Sequence, residues 1–228
     1  MQNHLYYKNA PLLITCAKAV TPWLAAELRG LGYHIDEELK LGVFIRGTLK
    51  DAILLNMKLR TAYRVLLQLE SGTAQSPYDL YQAVRQVKWE NYLDVDGYIS
   101  VTSSVMHPSI RDTRFANMKA KDAIVDRMKQ IYGRRPDSGP SRDRTVVFLY
   151  WHDNSYSIYL DTSGEPLTKR GYRKIPLKAP MQESLAAAVV SATGWDINEP
   201  FVNPMCGSGT LAIESRAQSG EQSAGIDS

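Results

Sequence analysis

The stretch Asn203-Pro204-Met205-Cys206-Gly207-Ser208-Gly209-Thr210 combines residue types and spacing suited to holding a small molecule. Phe201-Val202 before it reads as a buried strand, and Leu211-Ala212-Ile213-Glu214 after it as the start of a helix. Gly207 and Gly209 lack a Cβ, so the backbone can bend tightly there and approach a ligand closely. Strand, turn and helix N-terminus are how a doubly wound sheet meets a nucleotide-like group. A phosphate-cradling P-loop needs a lysine directly before Thr210; glycine stands there, which disfavours nucleoside triphosphates. Cys206 admits two readings, a nucleophile or a small buried packing residue, and its place inside the bend favours packing. Asp227 follows close to the ~20-residue offset at which a second-strand acid binds ribose hydroxyls.

The second chemical element is positive charge. The net charge of +3 is unevenly spread, at +1 over residues 1–108, +7 over 109–178 and −5 over 179–228. A basic middle with an acidic end is the asymmetry expected where the middle meets phosphate backbones. Arg111, Arg114, Lys119 and Lys121 gather at the start of a long helix. Arg134, Arg135, Arg142 and Arg144 decorate the following loop, and Lys169, Arg170, Arg173 and Lys174 a linker. Arg170 and Arg173 have a second reading, fixing that linker against its neighbour. Trp89, Trp151 and Tyr172 could stack on bases, although core packing is the commoner use of such rings.

The elements that must position these groups follow from periodicity. Leu12–Cys16 is a short apolar strand. Thr21-Pro22 supplies an N-cap and a first-turn proline to a helix whose stripe is Trp23, Leu24, Leu28 and Leu31, closed by Gly32. Strands at Ile35–Leu39 and Val43–Ile45, a helix at about Leu49–Leu59, and alternation of Tyr63, Val65, Leu67 and Leu69 complete a β-α-β-β-α-β order. That order suits a ferredoxin-like layer. Ser71–Pro77 is a polar breaker and a candidate boundary. Leu80, Val84 and Val87 then mark a helix ending near Trp89, and Ile99 and Val101 a strand. A long helix over about Phe115–Tyr132 has Ile124, Val125, Met128, Ile131 and Tyr132 on its apolar face. Gly133–Arg144 is a loop, and Val146–Trp151 pairs with Tyr156–Leu160 as a hairpin. Met181–Trp195 is an alanine-rich helix.

Composition excludes several classes. At 228 residues, 44% hydrophobic and 22% charged, the chain has the balance of a soluble globular protein. No run of ~18 apolar residues offers a membrane span, and residues 1–8 lack the apolar core of a secretory signal. Cys16 and Cys206 make no disulfide framework, and His4, His34, His107 and His152 are scattered, so no metal is expected. The cytoplasm is the default location.

These residues carry a resemblance. N-P-M-C-G-S-G-T at 203–210 resembles the first cofactor motif of THUMP-containing class I S-adenosylmethionine-dependent RNA methyltransferases, most similar to the bacterial 23S rRNA guanine-N2 methyltransferases. The run Gly164–Arg173 resembles that family's G-x-x-L-x-x-R-G-Y-R signature, and Ala179–Ala186 the segment leading into its methyltransferase fold. Arg111-Asp112-Thr113-Arg114 with Met118–Ile124 resembles its THUMP helix region. The resemblance runs from about Leu12 to Glu214, and departs at Asn203, where most relatives carry Asp; the amide keeps an acceptor and loses a charge.

The resemblance implies an α/β protein: α+β ferredoxin-like and THUMP units followed by the start of a Rossmann-like methyltransferase fold. It divides the chain into a ferredoxin-like domain (1–70), a THUMP domain (71–163, its profile beginning as early as 50), a basic linker (164–180) and an incomplete methyltransferase domain (181–228). The cofactor it implies is S-adenosylmethionine, held by Asn203, Pro204, Cys206, Gly207, Ser208, Gly209, Thr210, Glu183 and Asp227. Its partner is structured RNA, large-subunit rRNA above all, met by Arg111, Arg114, Lys119, Lys121, Lys169, Arg170 and Arg173. Relatives align the target amine with an Asn-Pro-Pro-[Tyr/Phe] loop. Asn198-Glu199-Pro200-Phe201 is superficially similar, but lacks the second proline and precedes the glycine turn, so no catalytic residue is assigned. The chain is expected to be a fragment or truncated product. Two other readings stay open, a non-catalytic RNA-binding protein and a tRNA methyltransferase of the same superfamily.

Overall fold

The computed structural model describes residues 6–172 and 180–218. Strand β1 (Ala10–Cys16) buries every second side chain, Leu12, Ile14 and Cys16, as a pleated strand with one core face must. Helix α1 (Thr21–Gly30) buries Leu24, Ala25 and Leu28, a narrower stripe than the periodicity predicts, because Trp23 is half-buried and Leu31 exposed. Thr21 is not its N-cap. Val20 holds that position in helical geometry without a side-chain cap, and the Thr21 hydroxyl donates instead to the Leu39 carbonyl at 2.8 Å. Gly32, at φ +89°, ends the helix as predicted.

Strands β2 (Glu37–Leu39) and β3 (Gly42–Gly47) form a tight antiparallel pair. Gly42 is required there because a Cβ would lie 2.4 Å from the Ile14 carbonyl oxygen. Helix α2 (Leu49–Lys58) starts at a reciprocal cap: Thr48 N–H donates to the Asp51 carboxylate at 2.7 Å, and Asp51 N–H to the Thr48 hydroxyl at 3.2 Å.

Strand β4 (Ala62–Thr73) runs on through the polar residues read as a breaker. Ser71, Gly72 and Thr73 pair with Ser157, Tyr156 and Ser155, so ladder hydrogen bonds override the local turn preference. Helix α3 (Pro77–Gln86) is capped by the Ser76 hydroxyl, and a 3-10 turn follows at Trp89–Asn91. Strand β5 (Tyr98–Met106) leads into helix α4 (Thr113–Tyr132), capped by Asp112 and closed by Gly133 at φ +73°. The buried face of α4 uses Ala116, Ala120 and Ala123 besides Ile124, Val125 and Met128. Ile131 and Tyr132, expected on that face, are about half exposed in the last turn. A short β6 (Asp137–Ser138) lies inside the predicted loop, and β7 (Thr145–His152) and β8 (Ser155–Asp161) form the predicted hairpin.

The strands make one mixed sheet in the order β2-β3-β1-β4-β8-β7-β5-β6. Strand β5 pairs in parallel with β6 and β7; β7–β8 and β8–β4 are antiparallel. Two compact units are distinguished. One comprises Met1–Leu13, Arg46–Asn56 and Val65–Glu165; its core gathers Leu80, Val84 and Trp89 with Ala120, Ile124 and Met128 of α4 and Val147, Leu149 and Trp151 of β7. The other comprises Ile14–Ile45, Met57–Arg64 and Pro166–Ser228. It contains helices α5 (Glu183–Ala192) and α6 (Thr210–Gln218), which pack on each other. Helix α5 is shorter than predicted at both ends. Phe201-Val202 is not a strand: Val202 is 79% exposed, and no described strand supplies ladder partners to that segment.

Candidate functional site

The glycine turn is built as its sequence requires. Gly207 and Gly209 sit at φ +51° and +75°, in the left-handed region that side chains with a Cβ avoid. Gly209 N–H donates to the Cys206 carbonyl at 2.7 Å, and Ile213 N–H to the Gly209 carbonyl at 2.9 Å, so the bend leads directly into α6. An added Cβ at either glycine would meet nothing within 4 Å, so the turn borders open space. The Ser208 and Thr210 hydroxyls lie 2.9 Å apart, with Thr210 buried. The Asn203 side-chain nitrogen is buried without a hydrogen-bond partner. Cys206 is exposed, which corrects the reading of a packed residue: a bend bordering open space gives its thiol nothing to pack against. Pro204 is also exposed. Gly207→Ala and Gly209→Ala are each expected to lower stability by about 1–2 kcal/mol, measured by urea denaturation; an unchanged midpoint would mean that the turn relaxes freely.

Glu183, predicted to face the cofactor, lies at the first position of α5, buried, and accepts the backbone N–H of Arg170. It therefore anchors the linker. Asp227 and Arg173 lie outside the described residues.

Arg170 and Tyr172 of the R-G-Y-R signature belong to an internal clasp. The Glu214 carboxylate, wholly buried on α6, accepts the Tyr172 hydroxyl at 2.9 Å and faces Arg60 Nε at 3.3 Å and Arg170 Nε at 3.4 Å. Arg170 Nη2 donates to the Arg60 carbonyl at 2.6 Å, and Arg60 Nη1 to the Ala217 carbonyl at 3.1 Å. Glu27 on α1 accepts Arg60 N–H at 2.7 Å and the Thr61 hydroxyl at 2.6 Å. The clasp thus ties the helix carrying the glycine turn to the linker and to the residues ahead of β4. A guanidinium held this way cannot reach an RNA phosphate, so Arg170 takes its second predicted role, fixing the linker. Tyr172 is likewise turned inward. Arg60 was missed in the sequence because nothing local distinguishes it; its partner lies 154 positions away.

The remaining predicted RNA contacts lie on or beside α4, except Lys169, which is exposed on the linker. Arg111 is exposed. Arg114 is 89% exposed and forms a bidentate pair with Asp112, which holds that carboxyl below the usual carboxylate range. Lys121 lies 3.6 Å from Asp122. The Lys119 ammonium sits 5.6 Å from the centre of the Phe115 ring. Trp89 and Trp151 are wholly buried and donate their indole N–H to the Val84 and Ala74 carbonyls, so neither can stack on a base. Among the described residues no group of His, Cys, Asp and Glu could hold a metal, and no helix is long and apolar enough to cross a membrane.

Comparison with known proteins covers the chain in three segments. Residues 11–66 match the RlmL ferredoxin-like domain, 74–161 the THUMP domain and 170–226 the RMKL-like methyltransferase domain. The ribosomal RNA large subunit methyltransferase K/L of Psychromonas ingrahamii is 40% identical over 88% of this chain and 27% of its own length. Its namesake from Magnetococcus marinus is 37% identical over 91% of the chain and 29% of its own. The chain therefore spans less than a third of these curated relatives. Among solved structures, one described as a predicted N6-adenine-specific DNA methylase from Listeria monocytogenes superposes with a TM-score of 0.85, at 29% identity over 95% of this chain and 56% of that one. SMU.472, solved complexed with SAH, gives 0.79, at 27% identity over 92% and 56%. The chain accordingly carries an RlmL-type ferredoxin-like domain, a THUMP domain and part of an RMKL-like methyltransferase domain, and is similar along them to ribosomal RNA large subunit methyltransferases K/L.

Proposed function

We propose that this chain is the RNA-holding portion of an enzyme that methylates guanine N2 of large-subunit rRNA. The observation that carries the reading is continuous similarity to named rRNA methyltransferases across all three segments, joined to a +7 balance over residues 109–178. Domain limits at 70, 163 and 180 fit it, as does a cytoplasmic location.

The glycine turn fits S-adenosylmethionine on its own geometry. The unpartnered side-chain nitrogen of Asn203, the hydroxyls of Ser208 and Thr210 and the open space beside Gly207 and Gly209 are suited to the polar edges of the methionine and ribose parts. When bound, S-adenosylmethionine supplies an electrophilic methyl group. Residues 203–210 bind and orient, and the clasp around Glu214 keeps their helix in place. The exposed Arg111 and Arg114 and the half-buried Lys119 and Lys121, on or beside α4, hold RNA by its backbone and shape. The sequence contains no Asn-Pro-Pro-[Tyr/Phe] segment to orient the amine, so the chain by itself is proposed to bind RNA without turning it over.

The test is binding of the chain to a structured large-subunit rRNA fragment across a salt series. Reversing charge at Arg111, Arg114, Lys119 and Lys121 together is expected to weaken binding by an order of magnitude or more and to flatten the salt dependence. Unchanged affinity and slope would remove the α4 surface from the reading.

A further inference from the structure

We propose that the outer edge of β5 is a self-association surface, on which a second copy of this chain lays its own β5 antiparallel about a two-fold axis at Ser103. The contact is independent of RNA binding. Its starting point is an open edge. Asp137 N–H donates to the Gly97 carbonyl and Gly139 N–H to the Ile99 carbonyl, both at 3.1 Å, so the odd-numbered residues of β5 turn their backbone groups away from β7. Strand β6 pairs only with Tyr98 and Ile99. Beyond it, among the described residues, no strand, loop or side chain hydrogen-bonds to the N–H and C=O groups of Val101, Ser103 and Val105. Burial changes at the same point. Ile99 and Ser100 are 1% and 3% exposed, whereas residues 101–105 are half-buried and Met106 is 66% exposed.

Native sheets blunt such edges with lysine, proline or a bulge. This one has none of them. The strand reads YISVTSSVM, without a charge or a proline, and its ladder to β7 runs from Ile99 to Met106 without a register shift. A regular, uncharged row of free backbone groups is a template for one more strand.

The side chains select which strand that is. Val101-Thr102-Ser103-Ser104-Val105 reads nearly the same in both directions about Ser103. Two-fold antiparallel pairing centred there sets Val101 against Val105 of the second copy, Thr102 against Ser104, and Ser103 against itself. Val101, Ser103 and Val105, which carry the free groups, then fall at hydrogen-bonded positions, where opposed residues exchange both N–H···O bonds. Thr102 and Ser104 fall at the closer, non-hydrogen-bonded positions. Apolar side chains meet apolar ones, hydroxyls meet hydroxyls, and no like charges are opposed. Ser103 adds an independent sign. Its hydroxyl oxygen is buried without a hydrogen-bond partner, and the two-fold axis brings it the same hydroxyl from the second copy. A contact of this kind is isologous and closes at two copies.

Sedimentation equilibrium of the whole chain over a concentration series is expected to show monomer and dimer in exchange. Thr102→Lys combined with Ser104→Lys opposes lysine to lysine on both sides of the axis, and is expected to weaken the dimer about tenfold or more. Thr102→Glu combined with Ser104→Lys changes the same positions but opposes glutamate to lysine, and is expected to restore it. Both variants lose the Ser104 hydroxyl, which lies 3.0 Å from His152 Nε2, so that loss cannot account for a difference between them. Amide hydrogen exchange of the wild type gives a readout that needs no variant: protection over residues 101–105 is expected to rise with concentration, while that of α3 stays constant. A wild type that is monomeric throughout the series, with exchange over 101–105 independent of concentration, would overturn the proposal. So would a dimer that the double-lysine variant leaves intact, and a folded glutamate–lysine variant that stays monomeric would overturn the register about Ser103.

Discussion

Glu214→Ala is expected to destabilise the unit that carries the glycine turn by about 3–5 kcal/mol. The substitution removes a wholly buried carboxylate and leaves Arg60 and Arg170, whose side chains are 26% and 20% exposed, facing each other without a counter-charge. It also strips the Tyr172 hydroxyl of its acceptor. Breaking one member of a buried ionic cluster is costly because the survivors keep their desolvation penalty. Amide hydrogen exchange resolved along the chain is the measurement. Faster exchange in α6 and at 207–213, with β5, β7 and β8 unchanged, is the expected pattern. Glu214→Gln keeps the shape and one acceptor, so it should fall between. An alanine variant as protected as wild type would show that the clasp contributes nothing to holding the helix.

Trp151→Ala is expected to cost about 3–5 kcal/mol in the other unit. The indole is wholly buried on β7, stacks on His107 with ring centres 4.1 Å apart, and donates to the Ala74 carbonyl at 3.1 Å. Truncation leaves a large cavity and an unpaired buried carbonyl. Trp151→Phe refills most of the volume and isolates the hydrogen bond, with an expected loss of about 1–3 kcal/mol. Denaturant unfolding of both variants gives the comparison; a loss below 1 kcal/mol in the alanine variant would mean that the core closes over the gap.

How much of this was legible in the residues differs by element. Helix α2, the β7–β8 hairpin and the closing glycines at 32 and 133 follow from local chemistry that tertiary structure did not contest. The bend at Gly207 and Gly209 was also legible, because glycine adopts those left-handed backbone angles without the penalty a Cβ carries. The strand character of Ser71–Thr73 was not, since it is conferred by partners on β8 far along the chain. The part of α4 built from alanines was hidden for a different reason: Ala116, Ala120 and Ala123 carry little hydrophobic signal yet permit close packing. The clasp was half visible. Its linker end stands in the R-G-Y-R run, but Arg60 and Glu214 are ordinary surface-type residues whose burial only the fold decides. The tryptophans show the same limit in reverse, because indole composition is the same whether a ring serves the core or a ligand.

The ladder joining β4 to β8 has a consequence for how the protein is made. Leu66–Thr73 cannot receive its partner until Ser155–Asp161, some eighty residues later, has been synthesised. At about 5–20 residues per second, one flank of β4 stays without its mate for roughly 4–16 s on the ribosome. The β7–β8 hairpin closes in about 1–10 μs once its turn emerges, so it arrives as a preformed ribbon seeking that flank. The polar, exposed run Glu70-Ser71-Gly72-Thr73 keeps the waiting flank soluble in the meantime. Substitutions that make those four residues apolar should therefore show up first as nascent-chain aggregation, well before any loss in the finished protein.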